Sequence, residues 1–349
     1  MVVKGQVTLK EISQRLGLGV STVSEVLNNK SIRCKPTTRQ RILELADELN
    51  YRPNIAAKSL TSQKTNTIGL VASSLSLGLN EIEQVCWDAG YTMSVTATHL
   101  DLDKQSEILM QLRQKYVDGT ILIDPLPECQ VINELQHDSY PVVIVSESID
   151  YKDVDTFLMN IKGGVELAVK HLVQLGHRRI AATFSPSQWA FGTLRDQGWR
   201  EGLKEELGIE PEDEWYIPLT TAKPKGGVYS IAYDAAEEFT RRFKKNDARR
   251  PTALYTSVDE VAVGAIRAFH DAGWRVPEDI SVIGMMALEL GRYCQPPVTS
   301  VDIEHRECRT QAIKHLLKVV CGEQGDPRPV VERFGIRLVK RDSTCEPPF

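Results

Sequence analysis

Hydroxyl and carboxyl side chains are concentrated in a short predicted helix near the start of the chain, over residues 20–27. Side chains of these types exchange hydrogen bonds with the edges of DNA bases and with phosphate oxygens. If this segment is the second helix of a helix-turn-helix, its N-terminal part enters the major groove. The expected DNA contacts are Val20, Ser21, Thr22, Ser24 and Glu25. Two other apolar residues of this helix, Val23 and Val26, are expected to lie in the core.

Two further helical patterns flank this segment. Thr8 and Glu11 have the spacing of a capping box, in which each side chain satisfies a backbone N–H of the first turn. Gly17 and Gly19 then interrupt the helical pattern. Residues 37–40, Thr-Thr-Arg-Gln, form another capping box that predicts the start of a third helix. Two helices joined by a short glycine-containing turn and supported by a third are typical of a helix-turn-helix.

The charge of the chain is distributed unevenly. Residues 1–64 contain eleven Lys and Arg and five Asp and Glu, a net charge of +6, whereas the whole chain carries −5. The remainder therefore carries −11. A basic head on an acidic body indicates that only the head contacts a polyanion such as DNA. The alternative is a chance fluctuation of charge on a solvated surface.

The overall composition indicates an ordinary soluble protein of two or three domains. The 349 residues are 42% hydrophobic and 26% charged. The sequence contains no apolar run of the roughly 18–20 residues that a membrane span requires, and its start lacks the apolar block of a signal peptide. The seven cysteines are scattered without a CxxC pair, which favours reduced thiols. We therefore expect a cytoplasmic protein.

From residue 67 onward the pattern changes to apolar strands that alternate with amphipathic helices. Continuous apolar strands with helical crossovers predict parallel sheets covered on both faces, and about 280 residues of such units suggest two similar lobes. The predicted strands are 67–72, 91–97, 117–123, 141–145, 179–184, 252–256 and 280–284. Helices are predicted near 79–89, 104–115, 128–136, 162–175, 195–207, 228–244, 259–272 and 304–321.

Several of these segments resemble the lactose/galactose repressor (LacI/GalR) family of bacterial transcription regulators. In the head they are Thr8–Ile12, Thr22–Ser24, Val26–Asn28, Asn50–Asn54 and Ala57–Leu60. In the body they are Thr67–Val71, Val117–Gly119, His171–Ile180, Val276–Gly284 and Pro296–Thr299. The likeness covers nearly the whole chain and keeps the family's order of landmarks.

The resemblance implies a small all-α helix-turn-helix head on an α/β body, whose two lobes are like those of periplasmic sugar-binding proteins. It implies a homodimer that binds operator DNA and responds to a small-molecule effector. A sugar or a sugar derivative is one candidate for this effector; the alternatives are a less polar or differently charged molecule, or no effector. The implied domains are a DNA-binding domain at 1–53, a hinge helix and linker at 54–66, and an effector-binding and dimerisation domain at 67–349. A repressor is the commoner family member, and we expect no cofactor.

The resemblance also adds DNA contacts outside the second helix. The segment Ile55–Leu60 corresponds to the family's hinge helix, in which Leu60 acts as an apolar wedge in the minor groove. Leu60 could instead cap the core of the body. The additional contacts implied are Thr8, Asn28, Arg52, Asn54, Ala57 and Lys58.

Glu25 departs from the family pattern, where arginine is common at this place. A carboxylate cannot donate to guanine, but it can accept a hydrogen bond from cytosine N4. We therefore expect an operator that differs at the corresponding base. Alternatively, Glu25 faces solvent or pairs with Lys30 or Arg33.

The expected effector cleft departs further from the family. Arg195 matches the family's cleft arginine, and Asp259 matches an aspartate that usually follows asparagine, but Val258 replaces that asparagine. Met286 stands in a segment that usually carries aspartates, so a free hexose or pentose is a less suitable ligand. Trp189 and Phe191 could stack on an effector or belong to the core. The expected effector contacts are Ser73, Glu147, Trp189, Phe191, Arg195, Asp259 and Met286.

Other classes of protein receive little support from the sequence. Dinucleotide-binding, P-loop, HExxH and GxSxG motifs are absent in the required context, so we do not expect an enzyme. His305 and Cys308 could share a helical face as metal ligands, but no further ligands lie nearby in the sequence, and no metal is expected. The remaining alternative is a sugar-binding sensor or transport protein that does not bind DNA.

Overall fold

The computed structural model divides into two compact units, Met1–Thr65 and Asn66–Phe349, here called the head and the body. The structure describes residues 7–27, 34–51, 64–73, 79–99, 101–126, 129–147, 151, 153–186, 190–219, 227–323 and 329–349. None of the helices in these ranges is both long enough and apolar enough to cross a membrane.

The head contains three helices around a small apolar core. They are α1 (Leu9–Leu16), α2 (Val20–Leu27) and α3 (Pro36–Glu48). Thr8 caps α1 as expected, since its Oγ1 accepts a hydrogen bond from the N–H of Glu11 at 3.3 Å. The predicted capping box at residues 37–40 is wrong: α3 begins at Pro36, whose fixed φ suits the first helical position, and Lys35 makes no side-chain cap.

The body contains eleven strands and nine helices within the described ranges. In chain order these are β1 (Thr67–Ala72), α4 (Asn80–Asp88), β2 (Thr92–Ala97), α5 (Leu102–Gln111), β3 (Gly119–Ile123), α6 (Gln130–His137), β4 (Val142–Ser146), β5 (Asp155–Leu158), α7 (Ile161–Gln174), β6 (Ile180–Thr183), α8 (Ala190–Leu207), α9 (Val228–Arg242), β7 (Ala253–Thr256), α10 (Asp259–Asp271), β8 (Ser281–Met285), α11 (Leu290–Tyr293), β9 (Thr299–Asp302), α12 (His305–Val320), β10 (Val331–Arg333) and β11 (Arg337–Val339).

These strands form two separate sheets, which define two lobes. The first lobe has a six-stranded parallel sheet in the order β10-β5-β4-β3-β1-β2. The second lobe has a five-stranded sheet in the order β11-β9-β8-β7-β6, in which only β11 is antiparallel to its neighbour. The α/β body with parallel sheets is therefore confirmed. The strands β5, β9, β10 and β11, each of three or four residues, were not predicted.

The chain passes between the two lobes three times. It leaves β5 for α7 through residues 159–160, leaves β9 for α12 through 303–304, and joins β10 to β11 through 334–336. The second and third crossings are joined, because the N–H of Gly335 donates to Glu304 Oε2 at 2.8 Å. Three short connections place the carboxyl ends of the strands of both sheets at the junction between the lobes, where ligands bind in open α/β folds.

Replacing Gly264 with alanine should lower the unfolding free energy of the body by about 1–3 kcal/mol. An added Cβ would lie 2.7 Å from the Tyr229 carbonyl oxygen and 2.7 Å from Ala232 Cβ, so α9 and α10 would have to separate. Urea unfolding followed by tryptophan fluorescence measures this, since all five tryptophans lie beyond residue 65. In the control Gly227→Ala, the added Cβ meets no atom within 4 Å. Equal stability of the two variants would contradict close packing at Gly264.

Candidate functional site

The exposed face of α2 carries the polar residues that were predicted to contact DNA. Val20 is 44% exposed and Ser21 is exposed, while Thr22, Ser24 and Glu25 are half-buried. The prediction that Val23 and Val26 lie in the core is confirmed, because both are fully buried against α1 and α3 together with Ile12, Ile42 and Ala46. Packing of the valines therefore turns the hydroxyls and the carboxylate of α2 outward.

The turn between α1 and α2 is fixed by two hydrogen bonds. The backbone oxygen of Ser13 accepts from the N–H of Leu18 at 3.1 Å, and its Oγ donates to the carbonyl of Leu18 at 2.5 Å. Gly17 ends α1 in the left-handed conformation with φ 65°, which an L side chain rarely adopts. These contacts fix the angle at which α2 leaves α1 and thereby set the direction of its polar face.

Several predicted contacts lie outside the described residues. Thr8 is described, and its hydroxyl already accepts the capping bond, so only its hydroxyl hydrogen remains for a phosphate. Six predicted DNA contacts lie outside the described parts of the chain: Asn28, Arg52, Asn54, Ala57, Lys58 and Leu60. The same holds for Lys30 and Arg33, the alternative partners of Glu25. Among the predicted effector contacts, it holds for Trp189 and for the side chain of Phe191.

A cavity of about 220 Å³ lies between the two lobes of the body. The first lobe contributes mainly charged and polar side chains, which are Ser73, Asp124, Glu147, His305 and Arg309. The second lobe contributes Arg195, Glu260, two serines and an apolar surface that consists of Leu219, Val228, Val258, Val261, Met286 and Leu288. The structure therefore brings four of the predicted effector contacts together: Ser73, Glu147, Arg195 and Met286.

The strongest charged contact in this cavity joins Arg195 to Glu147. Arg195 Nη1 lies 2.7 Å from Glu147 Oε2, and the two side chains are 5% and 10% exposed. Burial opposes the charged form of Arg195, but the neighbouring carboxylate of Glu147 outweighs it and raises the pKa of Arg195 above its ordinary value. Arg195 is therefore held in its charged form although its side chain is buried.

Asp124 positions Glu147 and was missed by the sequence analysis. Its Oδ1 accepts a hydrogen bond from the N–H of Glu147 at 2.9 Å. Removal from water and the negative charge of Glu147 together raise the pKa of Asp124 to about 8, against the opposing effect of Arg309. At neutral pH Asp124 is mostly protonated and can donate a hydrogen bond into the cavity. Its position after the buried strand β3 was the available signal.

His305 and Arg309 were also missed as cavity residues. Both lie on α12, which follows a strand of the second lobe but packs on the first. His305 is 4% exposed, and its Nδ1 has no hydrogen-bond partner within the described structure. Burial and the charge of Arg309 together lower the pKa of His305 to about 4, so the imidazole is neutral at pH 7. A neutral ring nitrogen can donate to or accept from a ligand.

Asp259 was predicted to contact the effector, but it instead holds a loop of the second lobe in place. It is completely buried below the cavity wall. Its Oδ1 accepts from the Ser300 hydroxyl and its Oδ2 from the N–H of Leu288, both at 2.6 Å. These bonds hold a loop in which Met286 has φ 84°. Asp259 therefore positions Met286 and Leu288, which line the cavity, and has no oxygen directed at a ligand.

In the described ranges, no three His, Cys, Asp or Glu side chains are grouped so that they could hold a metal ion. His305 and Cys308 are both buried on α12, and Cys308 does not line the cavity. The arrangement offers hydrogen bonds and charge to a small molecule rather than a coordination sphere.

Comparison with known proteins gives matches to both units. Residues 8–54 match the family model of bacterial regulatory proteins, lacI family, and residues 169–344 match that of the periplasmic binding protein-like domain. The HTH-type transcriptional repressor PurR of Photorhabdus laumondii subsp. laumondii is 31% identical over 350 residues, covering 98% of each chain. The repressor of the same name from Proteus mirabilis is 30% identical over 349 residues with the same coverage.

Solved structures show the same architecture. The Lac repressor bound to ONPG in its repressed state superposes with a TM-score of 0.79 at 25% identity, covering 97% of this chain and all of the other. The Lac repressor dimer bound to operator and the anti-inducer ONPF also has a TM-score of 0.79, at 24% identity, covering 97% and 99%. This second likeness concerns the fold.

In the variant Asp124→Asn, the unfolding free energy of the body should fall less with rising pH than it does in wild type. The folded protein keeps the Asp124 proton up to a pKa of about 8, whereas an unfolded aspartate releases it near its ordinary pKa of 3.8. Wild type should therefore lose unfolding free energy between about pH 4 and pH 8, at up to roughly 1.4 kcal/mol per pH unit. Asparagine can still accept from Glu147 but cannot ionise.

Urea unfolding at pH 5, 6.5 and 8, followed by tryptophan fluorescence, measures this difference. Asp124→Asn should be more stable than wild type at pH 8, with a smaller decrease from pH 5 to pH 8. The control Asp103→Asn changes an exposed aspartate on α5 and should keep the wild-type dependence. Parallel pH profiles for wild type and Asp124→Asn would show that Asp124 is ionised at neutral pH.

Proposed function

The chain belongs to the LacI family of bacterial regulatory proteins, and from this premise we propose that it represses transcription as a homodimer whose operator affinity is modulated by a small molecule. DNA-binding transcriptional regulation follows from the family, because the similarity spans both the head and the body. The observation that carries the proposal is the polar, outward face of α2 on a head of net charge +6.

In this proposal α2 is the recognition helix. Ser21, Ser24 and Glu25 lie on the side of α2 opposite the buried valines and can reach base edges in the major groove. Val20 offers an apolar contact, for which the methyl group of thymine is the suitable partner. Glu25 reads a base through a hydrogen bond that it accepts, so the preferred base at that position is cytosine.

The homodimer is proposed by similarity. The Lac repressor structure is described as a dimer bound to operator. Two heads would bind two half-sites about one helical turn, or a multiple of it, apart. The body, with a net charge of −11, would be repelled by the duplex, so the heads and their connecting segments supply the affinity. A DNA-bound repressor of this kind acts in the cytoplasm and has no catalytic role.

The proposed effector site is the cavity between the lobes. Ser73, Glu147, Arg195 and Met286 are retained from the sequence predictions, and His305 and Arg309 are added. The first lobe contributes polar and charged groups, and the second lobe adds an apolar surface beside Arg195 and Glu260. This combination favours a small molecule with a hydrogen-bonding edge and an apolar face over a free sugar, whose many hydroxyl groups each require a hydrogen-bond partner.

Replacing Glu25 with arginine should change the operator sequence that the protein selects. Arginine donates to guanine O6 and N7, whereas glutamate accepts from cytosine N4, a discrimination of about 1–3 kcal/mol at one base pair. Selection from random duplexes with both proteins measures the change. The control Glu44→Arg makes the same charge change on the exposed surface of α3 and should raise affinity without altering the motif. Identical motifs for Glu25→Arg and wild type would remove Glu25 from base recognition.

Deletion of residues 1–64 should abolish operator binding and leave a folded dimer. The body has its own large core, while the head contributes the polar surface of α2 and carries a net charge of +6. Gel-shift titration and sedimentation of the truncated protein measure both properties. Retained nanomolar binding to the operator would contradict the assignment of DNA recognition to the head.

A further inference from the structure

The ion pair between Arg195 and Glu147 connects the two lobes directly. Arg195 lies on α8 of the second lobe, and Glu147 directly follows β4 of the first lobe. Their contact of 2.7 Å therefore spans the cavity from one lobe to the other. A rotation of the lobes about their three connections would break it.

The pair is buried enough to affect the lobe arrangement. With the side chains 5% and 10% exposed, separation of the lobes must either hydrate both charges or leave them without compensation. Removing one partner of a buried pair leaves the other charge unpaired, which is strongly destabilising. Exposed ion pairs, in contrast, contribute little because water and salt screen them.

Glu147 is also held in place from its own lobe. Its N–H donates to Asp124 Oδ1 at 2.9 Å, and the N–H of Asp124 donates to the carbonyl of Val145 on β4. The backbone around Glu147 is thus fixed to the ends of two adjacent strands. The carboxylate of Glu147 therefore extends across the cavity from a backbone segment that is held in place.

We infer that Glu147 acts as an internal ligand of Arg195, which holds the lobes together in the absence of an effector and which an effector must displace or incorporate. This inference rests on the proposed function, because it assigns a role within the proposed effector site. It makes Glu147 a positioning residue that acts through Arg195. The effector then meets an arginine that is already occupied, so its binding is a competition with a carboxylate of the protein.

The variant Glu147→Gln tests this inference in the full-length protein without any small molecule. Glutamine keeps the shape of the side chain but removes its charge. Hydrogen exchange of the segments 145–147 and 257–261, which line the cavity from opposite lobes, should accelerate about tenfold as the lobes separate. The affinity for the operator should change by about fivefold or more, since the lobe arrangement is coupled to the head.

The control variant is Asp279→Asn, which removes the ion pairs of Asp279 with Lys245 and Arg275 within the second lobe. Asp279 Oδ2 is 2.8 Å from Lys245 Nζ, and its side chain is 10% exposed, as is that of Glu147. Asp279→Asn should reduce stability but leave exchange at the cavity and operator affinity within about twofold of wild type. Equal changes in both variants would show that Glu147 contributes only general stability and would overturn the inference.

Two additional variants complete the test. Glu147→Asp keeps the charge but is one methylene shorter, so it should also open the cavity, and it replaces Glu147→Gln if that variant does not fold. The double variant Glu147→Gln with Arg195→Gln should show no larger change than the single variants, since they remove the same contact. Additive effects, or wild-type exchange in both Glu147 variants, would overturn the inference. If hydrogen exchange is faster in Glu147→Gln but the wild-type protein does not bind operator, the proposed function is contradicted and the inference about the ion pair is not.

Discussion

The arrangement of the body depends on one buried contact between opposite charges, Arg195 and Glu147, placed where the two lobes meet. The three short connections at 159–160, 303–304 and 334–336 join the lobes. In the proposed mechanism, the charged contact across the cavity decides between a closed and an open arrangement of the lobes. The surrounding residues serve this contact: Asp124 fixes the backbone of Glu147, and Asp259 shapes the opposite wall.

In the head, apolar packing rather than an ion pair determines the orientation of the functional side chains. Burial of Val23 and Val26 and the two bonds between Ser13 and Leu18 determine which side of α2 faces outward. The recognition surface is thus a consequence of apolar packing and not of contacts among the polar residues. The proposed regulation requires that lobe movements in the body reach this surface through residues 52–63.

Local sequence patterns predicted the elements well where the pattern was long. All seven predicted strands and all three head helices are present, because apolar runs and helical spacing record burial directly. The four missed strands are three or four residues long. In addition, β9 contains the buried polar residues Thr299 and Ser300, so it lacks the continuous apolar run that predicts a buried strand. His305 and Arg309 were missed for another reason: α12 returns to the first lobe, and no local pattern records that topology. Asp259 was misjudged because a buried carboxylate that bonds the backbone has the same sequence signature as a ligand contact.

The polar face of α2 is proposed to read DNA while the body governs that interaction. A crystal structure of the full-length protein with its selected operator would show this contact. In that structure α2 should lie in the major groove of each half-site, with Ser21, Ser24 and Glu25 directed at base edges. A structure in which α2 packs against another subunit, or in which these three side chains point away from the duplex, would contradict it.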